Sequence, residues 1–224
     1  IMTLVDREQQ DRLLSELTQR YCVKARSGGG SAANTVYAIS QFGGSAFYSC
    51  RVANDDNGDF FLRQLGDDNI QTNKNSQRME GVSGRCIVMV TPDAERTMHT
   101  YLGVSDSISI SEMDFEAASN CEYMYLEGYL VTSDTARSAI IEMKDFAESN
   151  GIKTALTFSD PSMLEYFKDN VNEVLGDGVD LLFCNLQEAR LWSGEVNLDR
   201  VVEALKTIAK QFAVTTGADG SLLW

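Results

Sequence analysis

Apolar residues recur with two different periods along the chain, and the period predicts which segments are strands and which are helices. From residue 122 onward, short apolar runs alternate with stretches in which apolar residues fall three or four positions apart. The runs predict strands at residues 123–127, 153–158, 179–184 and 212–216, and the spaced stretches predict helices from 133, at 162–175 and at 198–211. Strands that alternate with helices join through right-handed crossovers, so this half predicts an α/β fold with a doubly wound, mainly parallel sheet. Ligands in such folds bind at the carboxyl ends of the strands.

The first half of the chain predicts three helices separated by turns. Asp6 and Ser31 each have the side chain of an N-cap and precede a stretch of helical period. The helix after Ser31 is expected to end at the glycine pair 43–44, where residues 45–53 predict a strand. The turn residues 54–58 then predict the start of a third helix.

The middle of the chain predicts a β-hairpin. Residues 85–91 and 96–103 are strand-like runs joined by the turn sequence at 92–95. In the second run Met98 and His99 fall on opposite faces, as the period of two requires. We expect this hairpin to form part of a small sheet that projects from the main domain.

Composition and charge narrow the class of protein. Hydrophobic residues make up 43% and charged residues 23% of the 224 positions, which is typical of a globular protein. A net charge of −14 disfavours binding to nucleic acid or to an anionic membrane, and no apolar run approaches the roughly 20 residues of a membrane span. Because no signal peptide is recognisable, we expect a cytoplasmic protein. The five cysteines are widely spaced without a Cys-x-x-Cys pair, which predicts reduced and mostly buried thiols rather than a disulfide framework or a zinc site.

The glycine-rich segment at residues 27–34 predicts a binding loop. Consecutive glycines let the backbone approach a ligand closely, and the helix that follows offers unpaired N–H groups. The pattern Gly28-x-Gly30-x-x-Ala33, with Asp55 or Asp56 about 20 residues later, also fits the dinucleotide-binding fingerprint. That motif requires a buried strand directly before the glycines, which residues 21–27 do not predict, so an NAD-dependent oxidoreductase is the less favoured alternative. No Walker A sequence is present, and the single histidine, His99, lies within a predicted strand.

Polar residues gather where three of the predicted parallel strands end. Ser159 and Asp160 follow one strand, Asn185 and Glu188 follow the next, and residues 215–220 follow the last. A single polar residue at such a position is usually a helix cap or a turn. Three in series along one edge predict a shared ligand cleft.

Four segments together resemble the PfkB carbohydrate kinases, the ribokinase and adenosine kinase group. They are residues 29–34, 52–58, 185–188 and 214–221, and they occur in the family's order over essentially the whole chain. The resemblance implies a ribokinase-like fold with a small β-sheet lid at about 82–104. It also implies transfer of the γ-phosphoryl group of ATP, with Mg²⁺, to a hydroxymethyl group of a sugar or nucleoside.

The same resemblance implies roles for individual residues. Gly29, Gly30, Ser31 and Asn34 would bind the sugar hydroxyls, and Met98 and Tyr129 would contact the rest of the substrate. Glu188 would organise Mg²⁺ through water together with Asn185. The nucleotide and its phosphates would be bound by Arg96, Asn185, Glu188, Thr215, Gly217 and Gly220. A homodimer formed through the lid is also expected.

Two features of the family are missing from the sequence. Its general base is an Asp in a Gly-Ala-Gly-Asp loop, which does not occur in these 224 residues, so no catalytic residue is assigned and the motif is expected beyond Trp224. A first strand with a sugar-binding Asp is likewise expected before Ile1, so both ends of the full protein are expected to be missing. A non-catalytic sugar- or nucleoside-binding protein is therefore the main alternative. Residues 84–88, 103 and 127–129 resemble bacterial sugar kinases labelled adenosine kinases, which favours adenosine narrowly over ribose or fructose.

Overall fold

A computed structural model describes residues 2–73 and 77–224. The chain divides into two compact units, Ile1–Ile108 and Ser109–Trp224, which are described separately. The sequence predicts one domain with a lid at about 82–104, and that division of the chain stays a prediction.

The described residues of the first unit form three α-helices and two small sheets. The helices are α1 (Arg7–Thr18), α2 (Ser31–Gln41) and α3 (Asp56–Asp67), and the strands are β1 (Met2–Leu4), β2 (Phe47–Tyr48), β3 (Gln71–Thr72), β4 (Arg85–Val90) and β5 (Arg96–Tyr101). The predicted hairpin is present as β4 and β5, which pair antiparallel, and β1 pairs parallel to β5 on its other side. A short parallel pair of β2 and β3 forms the second sheet. Val36, Cys50, Leu65 and Ile70 form the buried core of this unit.

The structure corrects two predictions for the first unit and confirms a third. Ser31 is the first residue of α2 and not its N-cap, because Gly30 takes the cap position with a φ of 112°. The strand predicted at 45–53 is only Phe47–Tyr48. The turn at 54–58 does open α3, with Asp55 as its N-cap.

The second unit is built on a five-stranded sheet. Its strands are β6 (Tyr123–Glu127), β7 (Lys153–Thr157), β8 (Val179–Asn185), β9 (Ala209–Thr215) and β10 (Ser221–Leu223), in the spatial order β10-β9-β8-β7-β6. The strands β6 to β9 run parallel, and β10 pairs antiparallel to β9. The helices are α4 (Phe115–Ser119), α5 (Asp134–Ser149), α6 (Pro161–Tyr166), α7 (Lys168–Leu175), α8 (Leu186–Ser193) and α9 (Leu198–Leu205). The predicted α/β fold with a mainly parallel sheet is thus confirmed.

The apolar runs of these strands form the main core. Leu156, Phe158, Leu182 and Phe212 are almost completely buried, because a parallel strand with helices packed on it is covered on both faces. Two predicted helices are too long. The helix at 162–175 is broken at Phe167, whose backbone leaves the helical region, and the helix at 198–211 ends at Leu205 because β9 begins at Ala209.

The five thiols are free, but most of them are not buried. Cys50 and Cys184 are buried, Cys121 is half-buried, and Cys22 and Cys86 are exposed. The prediction of mostly buried cysteines was therefore wrong, since Cys22 lies in the loop after α1 and Cys86 on the exposed side of β4. Within the described residues, none of the helices combines the length and the apolar character that a membrane span requires.

Candidate active site

The glycine-rich segment of the first unit leads into the open N-terminus of α2. Gly29 and Gly30 are exposed, and the φ of 112° at Gly30 lies in a region that residues with a side chain rarely adopt. Gly30 has no side chain with which to cap the N–H groups of the first turn of α2, the groups through which a helix N-terminus binds ligands. Residues 22–30 form no strand, so the strand that a dinucleotide fingerprint needs is not there.

Asn34 lies in the first turn of α2 beside these N–H groups. Its backbone N–H donates to the Gly30 carbonyl over 2.9 Å, and its exposed side-chain amide makes no hydrogen bond within the described parts of the chain. The structure therefore brings together Gly29, Gly30, Ser31 and Asn34, the four residues that the sequence predicts as the sugar site. An amide with a free donor and a free acceptor is suited to a hydroxyl group.

The hairpin presents Arg96 and Met98 on one face of β5. Arg96 pairs with Val90 and Met98 with Val88. Because Arg96 and Met98 are two positions apart in one strand, their side chains point to the same side of the sheet. Arg96 is exposed and Met98 is half-buried. Helix α1 holds the hairpin through Gln10, whose side-chain amide donates to the carbonyl of His99 over 3.2 Å. These two predicted ligand residues therefore share one surface of the first unit.

In the second unit, the carboxyl ends of the parallel strands lie in register. Glu127 at the end of β6 is opposite Thr157 of β7, and Asn185 at the end of β8 is opposite Thr215 of β9. The nucleotide-binding residues predicted from the sequence on β8 and β9 are therefore direct neighbours.

Asn185 and Glu188 form a reciprocal capping box at the start of α8. The Asn185 side-chain oxygen accepts from the Glu188 N–H over 2.8 Å, and the Asn185 amide donates to Glu188 Oε1 over 2.8 Å. The backbone N–H of Asn185 donates to Glu188 Oε2 over 2.9 Å. Both carboxylate oxygens are thus bound by one residue, and the side chain of Glu188 is only 4% exposed. Burial raises the pKa of the Glu188 carboxyl, the Asn185 N–H opposes this, and the charge of Asp160 adds to it.

Tyr129 lies among the acidic groups at this edge. Burial raises the pKa of its phenol. The negative charges of Asp160, Glu127 and Glu188 raise that pKa further. Its predicted contact with the substrate stays a prediction, but it lies near the carboxylate that ends β6 and those that follow β7 and β8.

Thr215 leads into an open turn between β9 and β10. The Thr216 N–H donates to the Gly220 carbonyl over 2.9 Å and closes the turn. Gly217 and Gly220 have φ values of 65° and 100°, are exposed, and have no atom within 4 Å of the place where a Cβ would lie. The backbone of this turn is therefore exposed on the surface of the second unit.

Comparison with known proteins identifies the family. The model of the pfkB family carbohydrate kinases matches residues 12–224. The chain belongs to the pfkB family of carbohydrate kinases. This is a family of phosphotransferases, and the ribokinase-like fold predicted from the sequence is confirmed.

Solved structures of pfkB-type kinases resemble the chain closely in fold. An adenosine kinase from Sinorhizobium meliloti is 30% identical with a TM-score of 0.87, and the match covers 99% of this chain and 67% of that one. A probable sugar kinase from Rhizobium etli CFN 42 is 27% identical with a TM-score of 0.88 and coverages of 99% and 66%. A fructokinase from Xylella fastidiosa shares the fold at 16% identity, with a TM-score of 0.76 and coverages of 92% and 70%. The chain thus spans about two thirds of the length of the two rhizobial kinases.

Glu127, at the carboxyl end of β6, is not among the site residues that the sequence predicts. It is 6% exposed, and one of its carboxylate oxygens accepts from the Ser159 hydroxyl over 3.2 Å. Ser159 itself has a φ of 71°, which is unusual for a residue with a side chain. The neighbouring Asp160 caps α6 by accepting from the Ser162 N–H over 2.9 Å. The sequence carries one signal for Glu127: it is a charged residue that ends an apolar strand directly before a glycine.

Proposed function

We propose that the protein is an ATP- and Mg²⁺-dependent kinase that transfers the γ-phosphoryl group to a hydroxymethyl group of a sugar or nucleoside. The observation that carries the proposal is the Asn185–Glu188 pair at the carboxyl end of β8, in register with Thr215 of β9, in a chain of a kinase family. Ligands of open α/β sheets bind at this edge.

The nucleotide is assigned to the second unit. Thr215, Gly217 and Gly220 would bind the phosphates and the nucleoside through exposed backbone groups, and Arg96 of the hairpin would bind the transferring phosphoryl group. A guanidinium at that position would neutralise the charge that develops on the phosphoryl oxygens.

The donor set around Glu188 fits Mg²⁺ held through water. No three His, Cys, Asp or Glu side chains of the described chain come together in a way that could hold a metal ion directly. Mg²⁺ usually keeps several waters and takes few protein carboxylates, with nucleotide phosphates supplying other oxygens. Glu188 would orient such a water while Asn185 holds its carboxylate in place, and the bound ion would supply charge neutralisation on the phosphates.

The acceptor is assigned to the glycine segment of the first unit. Gly29, Gly30 and Ser31 would bind the sugar hydroxyls, and the Asn34 amide would fix their orientation. Adenosine is the proposed acceptor ahead of ribose or fructose, supported by the 30% identity to an adenosine kinase. A cytoplasmic location and a homodimer through the hairpin belong to the same proposal. The exposed Val88 and Val90 of β4 support the homodimer.

The proposal is tested with the complete gene product that contains this chain. ADP release is measured with adenosine, inosine, ribose and fructose, with and without Mg²⁺. Release of ADP with one of these acceptors and Mg²⁺ is expected. Binding of adenosine or a sugar without any ADP release would instead favour the non-catalytic binding protein.

Asn34→Ala tests the assignment of the acceptor site. Loss of one amide that binds a hydroxyl costs about 0.5–1.5 kcal/mol, so we expect the KM for the acceptor to rise about 2- to 12-fold with little change in the KM for ATP. Gln41→Ala is the matched control, since it removes an exposed amide from the other end of the same helix. If both variants keep the wild-type KM, Asn34 does not bind the acceptor.

A further inference from the structure

The acidic turn at residues 54–58 is part of the family resemblance, yet the proposed function gives it no role. Its second residue, Asp55, is the N-cap of α3 and accepts from the Gly58 N–H over 2.8 Å. The same carboxylate also accepts from the hydroxyl of Ser83 over 2.6 Å and from the backbone N–H of Ser83 over 2.9 Å. Ser83 is 3% exposed, and its oxygen in turn accepts from the Ala53 N–H over 2.9 Å. A helix cap alone would need only the first of these bonds.

Ser83 lies two residues before β4, so Asp55 binds the segment that leads into the hairpin. The segment that leaves the hairpin after β5 is bound to the same part of the chain. The Val104 N–H donates to the Val82 carbonyl over 3.0 Å, and the Ser105 hydroxyl donates to the Arg51 carbonyl over 3.0 Å. The segments before β4 and after β5 are thus both bound to the residues that lead into α3.

The other contacts of α3 hold the glycine segment. The Arg26 guanidinium donates to the side chain of Asn57 over 2.6 Å and lies 4.1 Å from the centre of the Phe60 ring. The Gly28 N–H donates to the side-chain carbonyl of Gln64. Asn57, Phe60 and Gln64 are spaced three and four residues apart and therefore line one side of the helix. One helix, α3, is in contact with both segments of the first unit to which the acceptor and the transferring phosphoryl group are assigned.

We propose that Asp55 and Ser83 are positioning residues, which fix the β4–β5 hairpin to the helix that also holds the glycine segment. They bind no ligand themselves. They keep Arg96 and Met98 of the hairpin in a constant position relative to the glycine segment. This inference rests on the proposed function, because it assigns the acceptor to that segment. Errors of about 1 Å in the position of reacting groups cost up to about 100-fold in rate, so such a connection is worth maintaining.

Ser83→Ala is the direct test, because it removes the hydroxyl and keeps the backbone bond to Asp55. Thr154→Val is the matched control: Thr154, near the amino end of β7, is 1% exposed, and its hydroxyl lies 3.5 Å from the carboxylate of Asp180 in β8. Amide hydrogen exchange of the ligand-free complete gene product is measured over residues 85–101, followed by the kinetics of ADP release with adenosine as the probe. Asp55→Asn, which keeps the volume of the side chain, serves as the second variant if Ser83→Ala fails to fold.

We expect Ser83→Ala to speed exchange in the hairpin at least about fivefold and to lower kcat/KM for adenosine at least about fivefold, with the KM for ATP unchanged. The control should change each quantity less than about twofold at a comparable loss of thermal stability. Unchanged hairpin exchange overturns the proposal, and so does faster exchange with unchanged acceptor kinetics. If the wild type releases no ADP, the kinase proposal fails by itself, and hairpin exchange in the ligand-free variants still decides whether Ser83 fixes the hairpin.

Discussion

The capping box at the carboxyl end of β8 allows a stability prediction with an internal control. Asn185→Ala removes two side-chain hydrogen bonds, one from the Glu188 N–H and one to Glu188 Oε1, each 2.8 Å long. Loss of an N-cap costs about 1 kcal/mol. A buried acceptor left without its donor costs about 1–3 kcal/mol more, and Glu188 is only 4% exposed. We therefore expect Asn185→Ala to lower the free energy of unfolding by about 2–4 kcal/mol.

Asn197→Ala is the control for this prediction. Asn197 caps α9, which has eight residues like α8, by accepting from the Arg200 N–H over 3.2 Å. It is exposed and serves no buried carboxylate, so its replacement should cost only the cap, about 1 kcal/mol. The difference between the two variants isolates the contribution of the Asn185 amide to Glu188.

The assay is urea unfolding followed by circular dichroism at neutral pH without nucleotide. Asn185→Ala should lose at least about 1 kcal/mol more than Asn197→Ala, which corresponds to a further drop in Tm of about 2–4 °C. Equal losses in the two variants would refute the reasoning, because they would mean that Glu188 obtains its hydrogen bonds elsewhere.

Two further predictions concern a glycine and a carboxylate. Gly103→Ala should lower the free energy of unfolding by about 2 kcal/mol or more, because Gly103 has a φ of 56° and a Cβ there would overlap the carbonyl oxygen of Val82. Gly66→Ala is the control: its Cβ would lie in open space, so the change should be neutral or stabilising. Both are measured by thermal unfolding. Asp180 is partly buried, which raises its pKa, but the bonds from Lys210 and from the Thr154 N–H lower it more, so the pKa lies below its usual 3.8. The stabilising contribution of Asp180 is therefore complete above about pH 5 and is lost as the pH falls through its folded-state pKa. In urea titrations, Asp180→Asn should therefore lose less stability between pH 5 and pH 2 than the wild type does. If Asp180→Asn and the wild type lost equal stability between pH 5 and pH 2, the prediction for Asp180 would be wrong.

Local patterns explain which parts of the fold could be predicted from the sequence. The parallel strands were predictable because a strand covered on both faces is apolar throughout, as in β7 and β8. The boundary between α9 and β9 was not, since the apolar residues from Val201 to Val214 fit a helical period as far as Ile208 and a strand afterwards. Strand β1 has only three residues and is defined by its pairing with β5, which no local pattern encodes.

The same distinction applies to the candidate site. Asn185 and Glu188 are three residues apart at the start of a helix, so their mutual hydrogen bonds follow from the spacing alone. Asp55 and Ser83 are 28 residues apart, and the sequence around either residue does not indicate that it binds the other. The sequence therefore predicts the groups that lie together along the chain, whereas the contact that fixes the hairpin depends on tertiary structure.

The capping box also limits how Glu188 can take part in phosphoryl transfer. Both of its carboxylate oxygens accept hydrogen bonds from Asn185, so direct coordination of a metal ion would displace at least one of them. A bound water, in contrast, can donate to a remaining lone pair of either oxygen and leave the cap intact. A structural cap and an acidic group that orients a metal-bound water are therefore compatible roles for one residue. The comparison of Asn185→Ala with Asn197→Ala measures how much stability the bond between the Asn185 amide and this carboxylate contributes to the structural role.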